Sequence, residues 1–135
     1  MACRAAPDGR RACGHGDRVG RARAGSPEVK PQGPALAWCP FPDSDSAEGC
    51  VNAVLSEKLA ACANLLPGMR SIYVWQGERG EAEEVGVLFK TDAALLETLV
   101  TRLGQLHPYE DPAILAWRCD TAAPGTSAWL GALVA

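Results

Sequence analysis

The chain has 135 residues, 47% of them hydrophobic and 21% charged, with a formal net charge of −3. This fits one folded domain and excludes a large multidomain enzyme. A charge, Gly or Pro interrupts every apolar stretch well before the ~18 residues of a membrane span, and no apolar run follows the basic start, so neither a membrane helix nor a secretory signal is expected.

Composition divides the chain. Residues 1–34 contain no Leu, Ile, Phe, Trp or Tyr but six Gly and four Pro. They cannot bury enough apolar area to offset the entropy of ordering, so a disordered basic Gly/Pro/Arg-rich tail is expected over 1–34 and a folded domain over 35–135. Residues 1–33 carry seven Arg or Lys against three acids, and the remainder six against thirteen. Removal of 1–33 is expected to leave the melting temperature unchanged. Within the tail, Cys13-Gly14-His15 offers a metal ion two ligands in a Gly-rich segment, which leaves most of its coordination unfilled. Six cysteines without a Cys-x-x-Cys spacing, in a domain able to build a core, favour free thiols and a reducing compartment.

From Ala35 the pattern alternates short strands with periodic helices. Ala35–Cys39 reads as a strand. Asp43 to Ser46 supply cap side chains, and Ala47, Cys50, Val51, Val54, Leu55, Leu59 and Cys62 recur at helical spacing, which predicts about four helical turns ending near Cys62. Asn64–Leu66 begins a second strand, bent at Pro67-Gly68 and continuing over Met69–Gln76 with apolar residues on both faces. The polar segment Gly77–Glu83 reads as a hairpin tip, and Glu84–Lys90 as the third strand. Thr91 or Asp92 caps a second helix, whose stripe is Leu95, Leu96, Leu99, Val100, Leu103 and Leu106. His107-Pro108 ends it, because Pro disfavours helix at the preceding residue. Ala113–Cys119 is a fourth strand, and a short helix from about Ser127 to Val134 closes the chain.

The order β-α-β-β-α-β predicts an α+β fold: a ferredoxin-like sandwich, a four-stranded antiparallel sheet with two helices on one face, plus the short C-terminal helix. Large apolar side chains on both faces of the long second strand, with Tyr73 and Trp75 on one of them and with Trp117 and Trp129 elsewhere, imply that one face meets another chain. Neither nucleic acid nor membrane is expected as a partner.

Function must come from the site rather than the fold. Across residues 39–119, the run Cys39-x-x-Pro42-Asp43, Glu57-Lys58-Leu59-Ala60-Ala61-Cys62-Ala63-Asn64, Pro67-Gly68, Ser71-Ile72-Tyr73-Val74-Trp75-Gln76-Gly77, Glu84-Val85, Lys90-Thr91 and His107-Pro108-Tyr109-Glu110 resembles the CutA divalent-cation-tolerance family. The resemblance implies a small, non-catalytic, cytoplasmic homotrimer of ferredoxin-like fold, associated with copper and other divalent cations. Of the alternatives for assembly, only the resemblance selects three subunits rather than two. It further implies Cys39 and His107 as metal-ligand positions, with Leu106 standing where the family's bacterial members carry a first His.

Read as residues alone, Cys39 ends a buried strand and suits a small hydrophobic role, while His107 sits where a donor can meet the last carbonyls of a helix. Cys50, Cys62 and Cys119 read as core. Lys58, Tyr73, Trp75, Lys90, Tyr109 and Glu110 are candidates for a ligand cleft between subunits, because charged groups beside aromatic rings suit a small anion or metabolite. That is the alternative function, a signalling or scaffold module like the trimeric PII proteins, whose fold the CutA fold resembles. An acylphosphatase-like enzyme shares the element order, but the loop at Pro40–Ser46 holds two acids and no Gly-rich anion cradle followed by Arg, so catalysis is not expected.

Overall fold

The computed structural model describes residues 30–135, so Cys13, His15 and all but the last few residues of the basic segment lie outside the described residues. Strands β1 (Pro34–Phe41), β2 (Cys62–Trp75), β3 (Glu78–Asp92) and β4 (Leu115–Arg118) form one antiparallel sheet in the order β2-β3-β1-β4. Helices α1 (Ser44–Ser56) and α2 (Leu96–Leu106) and the short α3 (Pro124–Gly131) complete the α+β, ferredoxin-like arrangement expected from the element order. Among the described residues no helix is long and apolar enough to cross a membrane.

The core lies between one face of the sheet and helices α1 and α2. Alternation along β1 sends Ala37, Cys39 and Phe41 to it, and β3 adds Val85, Val87 and Phe89. Facing them are Ala47, Cys50, Val51 and Val54 of α1 and Leu99 and Leu103 of α2, the stripes that helical periodicity marks out.

Both helix starts follow the expected chemistry. The Asp43 carboxylate accepts from Ser46 N–H at 2.7 Å, and hydrogen bonding from Ser46 holds that carboxyl below the usual range. Asp92 caps the 3₁₀ turn Ala93–Leu95 that leads into α2, accepting from Ala94 N–H at 2.9 Å.

Several boundaries differ from the sequence reading, each for a local reason. Helix α1 stops at Ser56 rather than near Cys62. Lys58 adopts φ +58°, Leu59 N–H donates to the Val54 carbonyl and Lys58 N–H to the Leu55 carbonyl, a Schellman close built without glycine. Cys62 therefore begins β2 opposite Lys90 and is half-buried on the sheet, not on a helical stripe. Because an L side chain is strained in the left-handed region, Lys58→Gly is expected to raise stability by about 0.5–1 kcal/mol in urea denaturation.

The presumed tip at Gly77–Glu83 is strand. Gln76 and Gly77 both take positive φ, a two-residue turn that pairs Trp75 with Glu78. The result is a two-stranded arm running past the end of β1, whose last pair is Phe41 with Val85. On the arm the Tyr73 ring occupies the place of any Gly80 Cβ, with ring atoms 2.6 Å from it. Strand β4 is shorter than 113–119, so Cys119 falls just beyond it, half-buried. Helix α3 starts earlier than Ser127, with Pro124 in its first turn.

Residues just ahead of Pro34 contact the folded domain. Gln32 and Gly33 donate their backbone N–H groups to the two Asp92 carboxylate oxygens at 2.9 and 3.1 Å, and Pro31 lies against Gly131. Strand β1 spans eight residues from Pro34, longer than the five apolar residues suggest. The last residues of the presumed tail are thus part of the packing.

Candidate functional site

Of the residues singled out for chemistry, Cys39, His107 and Tyr109 meet near the C-terminal end of β1. Within an antiparallel strand, the N–H and C=O of one residue point to the same neighbouring strand. Gly33 carbonyl receives Ala93 N–H from the β3 side, while Pro34 carbonyl receives Cys119 N–H from the β4 side, so even-numbered residues of β1 face β4. Pairing with β4 ends at Trp38–Leu115. Pro40 is the next even-numbered residue, so the N–H it lacks falls where there is no strand to receive it.

His107 takes the carbonyl that remains. Helix α2 ends at Leu106, with His107 N–H still bonded to the Leu103 carbonyl at 2.9 Å and its backbone already extended ahead of Pro108. The imidazole is fully buried, stacked on Phe41 with ring centroids 4.5 Å apart. Its Nε2 lies 2.7 Å from the Pro40 carbonyl oxygen, and its Nδ1 accepts from Tyr109 N–H at 3.0 Å. A carbonyl only accepts and an amide N–H only donates, so these partners assign the neutral tautomer protonated on Nε2.

The network continues through Tyr109, whose ring tilts against the His107 ring at 4.8 Å and whose hydroxyl donates to Glu84 Oε2 at 3.1 Å. Glu84 is one residue beyond the last β1–β3 pair, 1% exposed, and its Oε1 has no hydrogen-bond partner among the described residues. Sequence reasoning singled out the Glu84-Val85 pair as a motif but not Glu84 as part of this network; alternating strand polarity places a Glu there on the surface, and only the end of β1 allows Tyr109 to reach it.

The remaining candidates do not gather within one subunit. Lys58 holds the αL position after α1, and Lys90 pairs with Cys62 and Leu36 at the far end of the β1–β3 ladder from Glu84. Tyr73 and Trp75 lie out on the arm, the first buried over Gly80 and the second exposed at the turn. Glu110 follows Tyr109, half-buried.

Comparison with known proteins fixes the family. The family model described as CutA1 divalent ion tolerance protein matches residues 35–132. The chain belongs to the CutA family. It is similar to the divalent-cation tolerance protein CutA of Pectobacterium atrosepticum, 38% identical over 94 residues, covering 70% of this chain and 86% of that one. The CutA of Yersinia pestis is 39% identical over 97 residues, covering 72% and 82%. Among solved structures, CutA from Xylella fastidiosa aligns with a TM-score of 0.71 at 34% identity, covering 76% of this chain and 98% of that one. Cut A1 from Thermus thermophilus gives 0.71 at 33%, covering 76% and 99%.

Against that family background, the donor set at the end of β1 does not fit a metal ion as folded. Both His107 nitrogens are engaged, and Cys39 is wholly buried in the core cluster with its Sγ 3.9 Å from the same Pro40 carbonyl oxygen. Leu106, at the position adjoining His107, packs on the core. Among the described residues no group of three or more His, Cys, Asp or Glu side chains is placed to hold a metal ion.

The other core thiol is equally closed, since burial pushes Cys50 up to about 11 despite the opposing pull of the Arg102 charge. None of the four described cysteines forms a disulfide. In native protein, Cys39 and Cys50 are expected to alkylate with iodoacetamide at least ~10³-fold more slowly than in urea-unfolded chain, read by peptide mass mapping, because exposing them requires opening the core.

Proposed function

We propose that this CutA-family chain acts as a non-catalytic cytoplasmic homotrimer in divalent-cation tolerance, with the sheet face opposite the helices turned toward its neighbours. That uncovered face is the observation that carries the reading. Paired residues across the sheet share a face, so Leu36 and Trp117 stand together, as do Leu88, Trp38 and Leu115. Leu66 is 48% exposed, Leu115 64% and Trp117 44%, and the arm adds Trp75 on the same face. An apolar sheet face of this kind is ordinarily covered.

The open edges invite a closed assembly. Strands β2 and β4 are the two edges of the sheet, and a contact of one chain's β2 edge with the next chain's β4 edge covers both. Two copies can close this way as well as three, and it is the resemblance to CutA that selects three. Light scattering on the full chain is expected to give three times its 14.2 kDa mass; a mass of one or two chains contradicts the reading.

Absence of catalysis has its support in the single described histidine, whose two nitrogens are already committed. The relatives' names supply the link to divalent cations. Copper, the cation implied by the resemblance, finds no ready chelate at Cys39 and His107, so the reading rests the tolerance role on the assembled trimer rather than on a copper ion resident in each subunit.

A further inference from the structure

We infer that His107 of this chain is a strand surrogate rather than a metal ligand: its imidazole takes the place of β4 beside Pro40, and the Cys39–His107 end of the sheet is closed to divalent cations. Three observations converge on this.

The first is the topology. Strand β4 stops pairing at Leu115 opposite Trp38, and even-numbered β1 carbonyls point toward it, so the Pro40 carbonyl is buried without a strand partner. A buried carbonyl left in that state has given up its water without gaining a donor, which destabilises the fold. His107 Nε2, at 2.7 Å, supplies the missing donor. Pro40 removes the N–H that would otherwise also need an acceptor there, so a Pro on the strand and a His on the helix end together replace one rung of the ladder.

The second is the far side of the ring. Nδ1 accepts from Tyr109 N–H, and the ring is packed between Phe41 and Tyr109. A cation could bind Nδ1 only after displacing that N–H, and Nε2 only after that nitrogen lost its proton and the Pro40 carbonyl lost its donor. Either route leaves a buried backbone group unpaired. The third is that the ring's placement carries Tyr109 to Glu84, so turning it outward also costs the hydroxyl-carboxylate bond at 3.1 Å. His107 is thus a positioning residue for Tyr109 and a closing donor for β1.

The test uses the full chain labelled with ¹⁵N, in long-range ¹H–¹⁵N correlation spectra at neutral pH, with and without one equivalent of Zn(II). The chain has two histidines, so His107 is assigned by its disappearance in His107→Gln or, should that variant not fold, by elimination in His15→Gln. Expected is one bare Nδ1 and one protonated Nε2 for His107, neither shifted by Zn(II). A Zn(II)-dependent shift of either His107 nitrogen overturns the inference.

Variants give a second readout. His107→Ala should melt several degrees lower, and His107→Gln, whose amide can still donate to Pro40, should recover at least half of that loss. Both should bind Cu(II) within about twofold of the unaltered chain. A His107→Gln protein of unchanged melting temperature with tenfold weaker Cu(II) binding overturns it. Neither readout depends on the number of subunits, so failure here is distinct from failure of the trimer reading.

Discussion

Asp92→Ala is expected to lower the stability of the folded subunit by about 3–5 kcal/mol, with a fall in melting temperature on the order of 15 °C for a domain of this size. The carboxylate is 1% exposed and accepts three backbone N–H groups: Gln32 and Ala94 on Oδ1, and Gly33 on Oδ2. Alanine leaves all three part-buried donors without their acceptor, and an unsatisfied donor costs roughly 1–3 kcal/mol where water cannot reach it and less where it can. It also removes the cap of the turn that starts α2. Asp92→Asn, which keeps one carbonyl oxygen, should fall between the two.

The same contacts revise the expectation that residues 1–33 are dispensable. A chain beginning at Pro34 loses the Gln32 and Gly33 donors and the Pro31 contact with Gly131. It should melt several degrees below a chain beginning at Lys30, measured by differential scanning calorimetry. Equal melting temperatures would show that this clasp contributes nothing.

Trp117→Glu is expected to reduce the mass found by light scattering from three chains to one at micromolar concentration. Trp117 is 44% exposed in the single subunit, so replacing it costs little of the subunit's own fold, generally within about 0.5 kcal/mol for a surface position. In the assembly the same carboxylate enters an apolar interface without a partner, a penalty of several kcal/mol repeated at each of three contacts. Leu115→Glu, one rung along the same face, should act alike. The far-ultraviolet circular dichroism of both variants should match that of the unaltered chain. An unchanged mass in both would place the interface elsewhere.

Strong local signals made most of the fold legible. The α1 and α2 stripes, the Asp43 and Asp92 caps, the Pro108 stop and the alternation on β1 each follow from residue spacing, because burial of one face imposes a period on the sequence. The resemblance to CutA, resting on motifs in order from Cys39 to Glu110, named the family. Errors arose where the usual markers were missing. A Schellman close with Lys58 at the glycine position hid the end of α1, and an arm rich in Glu and Gly read as a loop because its apolar residues are concentrated on β2.

The candidate site was decided by tertiary structure. Sequence placed Cys39 at a strand end and His107 at a helix end; His107 is there, while β1 runs on past Cys39 to Phe41. What each side chain does depends on where a different element stops. Because β4 ends at the rung of Trp38, the Pro40 carbonyl needs a donor, and because β1 ends at Phe41, Tyr109 can reach Glu84. Hydrogen-bond demand at a sheet edge is set by the lengths of neighbouring strands, which are non-local in sequence. The residue types that could serve a cation are written in the chain; their commitment to a carbonyl, an amide and a neighbouring ring comes only from the packing of β1, β4 and α2 against one another.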